Sequence, residues 1–113
     1  MRNKNNGTEE CRKHIYSKCR GVCKTYSLLQ SAYAEILEND PQVKSFICNQ
    51  PMEGTSYTTD FVITKTDGSV MVRECIMKRD LVKPRWLGLL DLSRNYWTEK
   101  NIPDWGLVAD KQK

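Results

Sequence analysis

Two carboxylates near the middle of the chain carry its most specific chemical suggestion. Asp60 and Glu74 lie in YTTDFVITKTDGSVMVRECIM, residues 57 to 77, one in each of two strand-like runs around a KTDGS turn. If both acids point to one face of a hairpin, their like charges repel. The pair then needs a cation or a basic neighbour, for which Arg73, Lys78 and Arg79 stand close in sequence. The turn decides whether they meet. A two-residue Asp67-Gly68 loop sets Asp60 opposite Cys75. A three-residue Thr66-Asp67-Gly68 loop, with Gly68 left-handed at a bulge, sets Asp60 opposite Glu74. A one-residue slip turns every side chain to the other face, so in the first register the hairpin is an ordinary one with one acid in solvent. Glycine as the third loop residue suits the bulged form, and convergent acids are the expectation.

Cysteine supplies a second cluster. Cys11, His14, Cys19 and Cys23 are close enough in sequence to suggest a zinc knuckle, but none of their spacings is a paired CxxC. Five cysteines, an odd number, in a chain without a secretion signal read better as scattered reduced thiols than as a disulfide framework or a metal site. A third group, KRDLVKPR, is basic. Arg79, Lys83 and Arg85 are placed to meet phosphates, which would position a duplex without reading its sequence; the plainer reading is a wet surface. Trp86, Trp97 and Trp105 read as core or interface anchors and not as base-stacking platforms.

The elements that must position these groups follow from periodicity. Residues 1 to 12 are polar and aperiodic, a frayed tail, and residues 13 to 113 form one domain. In TYSLLQSAYAEILEND, Ser27 is the N-cap of a helix whose apolar stripe is Leu28, Leu29, Ala32, Tyr33, Ile36 and Leu37, and Asn39-Asp40-Pro41 ends it. QVKSFICNQ alternates as a short strand, and the hairpin comes next. Pro84 opens a second helix through RWLGLLDLSRNYWTEKN. Its lines Leu87-Leu90-Arg94-Trp97 and Leu89-Leu92-Tyr96 predict that much of it is buried. DWGLVAD reads as a buried strand, which a right-handed crossover sets parallel to an earlier one.

Length and composition bound the rest. With 113 residues and 39% hydrophobic content there is material for one modest core and not for two. No apolar run is long enough to span a bilayer, and the basic, Asn-rich start lacks the apolar stretch of a signal peptide, so a cytoplasmic protein without membrane contact is expected. The net charge of +4 leans only mildly towards nucleic acid.

The order helix, strand, strand, strand, helix, strand, together with TTDFVIT, RECIMKRDL, LLDLSRNYW and EKNIPDWGLV, resembles the TnsA-like endonuclease subunits of heteromeric transposons, in the PD-(D/E)XK nuclease superfamily. The likeness runs from about Gly21 to Asp110. It implies an α+β restriction-endonuclease-like core, a mixed sheet flanked by helices. It implies Mg²⁺-dependent (or Mn²⁺-dependent) cleavage of one strand of double-stranded DNA at a transposon end, beside a DDE-type transposase that cuts the other and a regulatory ATPase. The ATPase is typically met through a further C-terminal domain. This chain ends soon after its last core strand, so a fragment or truncated copy is expected.

In the nucleases it resembles, a helix carboxylate, a strand aspartate and an (E/Q)-X-K triplet surround the metal, whose hard oxygen ligands are the common requirement. Asp60 matches the aspartate and Glu74 opens the triplet, so these two are the implied metal ligands. Ile76 stands where the lysine belongs, and Gln30 where the helix carboxylate belongs. Glu74, Ile76 and Lys78 share a face if the strand continues, so Lys78 is the candidate migrated lysine. Gln30 offers a carbonyl oxygen but no charge. Glu38, farther along the helix, reads as solvent-facing. The substitutions open a second reading: a degenerate nuclease-fold module that binds DNA or the transposase without cutting. A third is a small zinc- or thiol-bearing binding protein that shares only the topology.

Overall fold

A computed structural model describes residues 11–110. Strands β1 (Arg12–His14) and β2 (Cys23–Thr25) pair antiparallel as a small ribbon. Helix α1 (Leu28–Asn39), strands β3 (Val43–Pro51), β4 (Thr58–Lys65) and β5 (Val70–Cys75), helix α2 (Pro84–Glu99) and strand β6 (Trp105–Val108) follow. The main sheet has the order β3-β4-β5-β6, antiparallel except for the parallel β5/β6 pair. The fold is therefore α+β, with a mixed four-stranded sheet and two helices. Among the described residues no helix is long and apolar enough to cross a membrane.

Side-chain alternation along the strands builds two small cores, one on each sheet face, where composition predicts one. Phe61, Ile63 and Met71 face α1 and pack with Ala34, Leu37, Val43 and Phe46. Val62 and Val72, one residue out of step, face α2 with Trp97, Leu89 and Tyr96. The helices thus cover opposite faces of the sheet. Phe46 and Phe61 are almost wholly buried, which contributes roughly 1.5–3 kcal/mol for each such side chain. The outer edge of β3 is covered in part: Phe46 N–H donates to Lys18 O at 2.9 Å and forms a parallel bridge with Cys19.

The hairpin takes the three-residue loop. Lys65 N–H donates to Ser69 O at 2.8 Å, Gly68 N–H donates to Lys65 O at 3.0 Å, and Gly68 has φ +89°. The pairs Phe61↔Arg73 through Thr64↔Val70 continue this register, so Asp60 comes opposite Glu74.

Several expectations change in detail. Arg12, assigned to the tail, opens β1, and residues 1–10 lie outside the described residues. In α1 the buried row is Gln30, Ala34 and Leu37, flanked by Leu29 and Tyr33. Leu28 (68% exposed) and Ile36 (59%) lie on the outward i, i+4 row because six apolar positions spread wider than one packed stripe. Helix α2 buries only Leu90, Ser93 and Trp97, with Leu87 and Leu92 exposed. Strand β6 pairs with β5 alone and is half-buried, since an edge strand receives cover from one neighbour only.

Candidate functional site

The acids sit where β4 and β5 part. Regular pairing stops at Phe61↔Arg73. On the other side of β4 the β3 register passes over Asn49 and Asp60, and Asn49 has φ +56°, a left-handed conformation that asparagine tolerates better than most residues. Backbone N–H groups at such a split lose their ladder partners, and a buried donor must find another acceptor. The carboxylates supply it. Asp60 N–H donates to Glu74 Oε1 at 3.1 Å, and Cys75 N–H donates to Asp60 Oδ2 at 2.8 Å. Each acid thereby holds the other's strand.

The remaining oxygens reach the two helical layers. Asp60 Oδ1 accepts from Gln30 Nε2 of α1 at 3.2 Å. Glu74 Oε1 also accepts from the Tyr57 hydroxyl at 2.8 Å, and Oε2 from the Ser93 hydroxyl of α2 at 2.6 Å. Ser93 Oγ in turn accepts from Trp105 Nε1 at 3.0 Å, so β6, α2 and β5 share one chain of bonds. All four carboxylate oxygens receive protein donors, and the pair is closed to solvent: Asp60 is 2% exposed and Glu74 0%. These bonds tie β4, β5, α1 and α2 together at one point.

Gln30 has a fixed orientation. Ser27 caps α1 by accepting from Gln30 N–H at 3.1 Å, and the Gln30 side chain reaches back to accept from Tyr26 N–H at 2.8 Å through Oε1. This is a capping box shifted by one residue, and the signal S-x-x-Q was present in the sequence. Because Tyr26 N–H can only donate, Oε1 must face it and Nε2 must face Asp60. The carbonyl proposed as a metal ligand is turned away from the acids.

The other candidates separate. Strand β5 ends at Cys75 and the chain turns into a 3-10 segment, Lys78–Asp80, so Lys78 does not stay on the Glu74 face as an extended strand would place it. Its N–H donates to Asp110 Oδ1 at 2.6 Å and its side chain is exposed. Ile76 is buried. Arg73 pairs with Asp104 at 2.9 Å. Arg79, Lys83 and Arg85 are all exposed between β5 and the first turn of α2; Lys83 pairs with Asp80 at 2.8 Å and Arg85 lies 5.6 Å from the Trp86 ring centroid. Trp97 and Trp105 act as anchors, Trp97 Nε1 donating to Thr59 Oγ1 at 2.8 Å.

Glu38 is not an idle surface group. Its carboxylate accepts from Ser17 Oγ at 2.7 Å and from the N–H groups of Ser17 and Lys18, each at 3.1 Å. The Ser17 hydroxyl first, and then these N–H groups, hold its carboxyl below the usual carboxylate range. The N-terminal thiols rearrange more. Cys11 is exposed and His14 Nε2 meets Thr25 Oγ1 at 3.1 Å, while Cys19 and Cys23 come together with Cys48, which sequence spacing gave no reason to include.

No protein-family model matches the chain, and no curated protein matches it in sequence. The site must be read from its own geometry.

Proposed function

We propose that the chain is the DNA endonuclease subunit of a heteromeric transposase, cutting one strand of a transposon end beside a DDE-type transposase. The observation that carries this reading is the hairpin register, which brings Asp60 and Glu74 to one strand split. Two hard carboxylates suit Mg²⁺ or Mn²⁺. The element order from α1 to β6 agrees with the restriction-endonuclease-like core that the sequence resembles. Such an ion supplies activation of water and stabilisation of the leaving oxygen. Asp60 and Glu74 would hold it, Lys78, off the strand face but on a flexible stem, would bring a positive charge to the developing anion, and Arg79, Lys83 and Arg85 would seat the duplex by its phosphates. For cutting, the first turn of α1 must swing Gln30 away, and its 3.2 Å bond is the longest that the acids make with these named donors. A regulatory ATPase is the further partner of this reading.

A second reading rests on the same residues: a nuclease-fold module that binds DNA or the transposase without cutting. It is favoured by the Gln30 amide nitrogen facing Asp60, by Ile76 at the lysine position and by the depth of both acids. Nicking of supercoiled DNA bearing transposon ends, with the transposase present, separates the two. Cutting predicts nicks that need Mg²⁺ or Mn²⁺ and vanish in Asp60→Asn and Lys78→Ala. DNA binding without nicks, and a melting temperature indifferent to Mg²⁺ and Mn²⁺, establishes the second reading instead.

A further inference from the structure

We propose that Cys19, Cys23 and Cys48 bind a thiophilic divalent cation, Zn²⁺ in the cell, and so clasp the N-terminal arm to the sheet edge. Three sulfurs from three separate segments converge: the loop before β2, β2 itself and β3. Cys23 Sγ lies 2.7 Å from Cys48 Sγ, Cys19 Sγ lies 3.7 Å from Cys48 Sγ, and all three sit within 4.8 Å of one another. Tetrahedral zinc with Zn–S bonds of about 2.3 Å places its sulfurs about 3.8 Å apart. The Cys19–Cys48 separation already has that value. Cys23 and Cys48 must part by about 1 Å, within reach of small side-chain rotations.

A disulfide between Cys23 and Cys48 would use two of these thiols and leave Cys19 unexplained. A metal uses all three. Soft thiolate ligands select Zn²⁺ over Mg²⁺, so this site and the acid pair take different ions. Binding Zn²⁺ releases the three thiol protons to solvent and leaves a site of net charge −1, in segments that also carry Lys18, Arg20 and Lys24. Among the described residues no fourth His, Cys, Asp or Glu joins the group, and a water molecule would complete the fourth position.

The test uses the full chain, reduced and freed of metal, titrated with Co²⁺. The expected result is one equivalent bound with the visible bands of tetrahedral cobalt and a thiolate charge-transfer band. Zn²⁺ should displace it and excess Mg²⁺ should not. Cys19→Ser and Cys48→Ser should weaken binding at least tenfold, with Cys11→Ser unchanged. In the unaltered protein Zn²⁺ should protect three of the five thiols from alkylation, a readout that needs no variant to fold. A reduced protein that shows no saturable cobalt bands, or one in which Zn²⁺ protects no thiols, overturns the proposal. So does equal binding by the Cys48→Ser and unaltered chains.

Discussion

The Gln30 amide gives the sharpest handle on the acid pair. In Gln30→Glu, the oxygen that accepts from Tyr26 N–H is retained, and only the atom facing Asp60 changes, from a donor to a second anionic oxygen. Loss of the hydrogen bond costs about 1 kcal/mol. A like charge beside a buried carboxylate adds the penalty of an uncompensated buried ion, which brings the total to about 3–5 kcal/mol. For a domain of this size, at about 4 °C per kcal/mol, the melting temperature in EDTA at neutral pH should fall by about 12–20 °C. The loss should shrink on acidification, because burial and Asp60 both favour the protonated form of the new carboxyl. If the acids hold a divalent ion, the variant should bind it better than the unaltered chain. Mg²⁺ or Mn²⁺ at a hundred times its dissociation constant should then return about 2.7 kcal/mol. The assay is thermal unfolding followed by circular dichroism, in EDTA and across a metal titration. An unchanged melting temperature in EDTA would refute the contact between Gln30 and Asp60. A low melting temperature that no divalent ion raises would refute metal binding, and cutting with it.

Three further outcomes follow from particular contacts. Ser93→Ala removes the donor to Glu74 Oε2 and the acceptor of Trp105 Nε1, so stability should fall by about 1.5–3 kcal/mol, read as a lower urea midpoint at unchanged m. Gly68→Ala meets no atom in space, so its cost is the left-handed backbone alone, about 1–2 kcal/mol by urea unfolding, and Gly68→Asn should cost less. Glu38 has a folded-state pKa held below its unfolded value. Its contribution is therefore present above the ordinary carboxylate pKa and lost as pH falls through the folded one. Glu38→Gln should melt below the unaltered chain at neutral pH and converge with it in acid; a gap independent of pH would show that the carboxylate charge is not what holds Ser17 and Lys18.

What was legible in the sequence was local. The hairpin register followed from glycine as third loop residue, because a left-handed residue there admits few alternatives. The Ser27 cap and the stop at Pro41 followed from equally short-range rules. The ribbon β1/β2 leaves no pattern in the sequence because RKH and CKT are too short and too charged to alternate visibly. The direction of the Gln30 amide depends on Tyr26 N–H, a backbone donor that no composition rule reveals, although S-x-x-Q pointed to a cap. Lys78 falls on the Glu74 face only if the strand runs on, and it stops at Cys75. Cys48 joins Cys23 across 25 residues of sequence, so no spacing motif contains both.

The acid pair also shows why two carboxylates at a parted hairpin do not by themselves define a cutting site. Where β4 and β5 separate, the N–H groups of Asp60 and Cys75 need acceptors inside the protein, and carboxylates are the strongest available. A pair selected only to close the split would have the same register, the same burial and the same two cross-strand bonds. What separates the readings is the third donor. A cation in place of Gln30 Nε2 at Asp60 Oδ1 would make the pair a metal site; with Nε2 left there the pair serves as a clasp. Hence the chemistry turns on one amide in the first turn of α1, and less on the acids than their conspicuous position suggests.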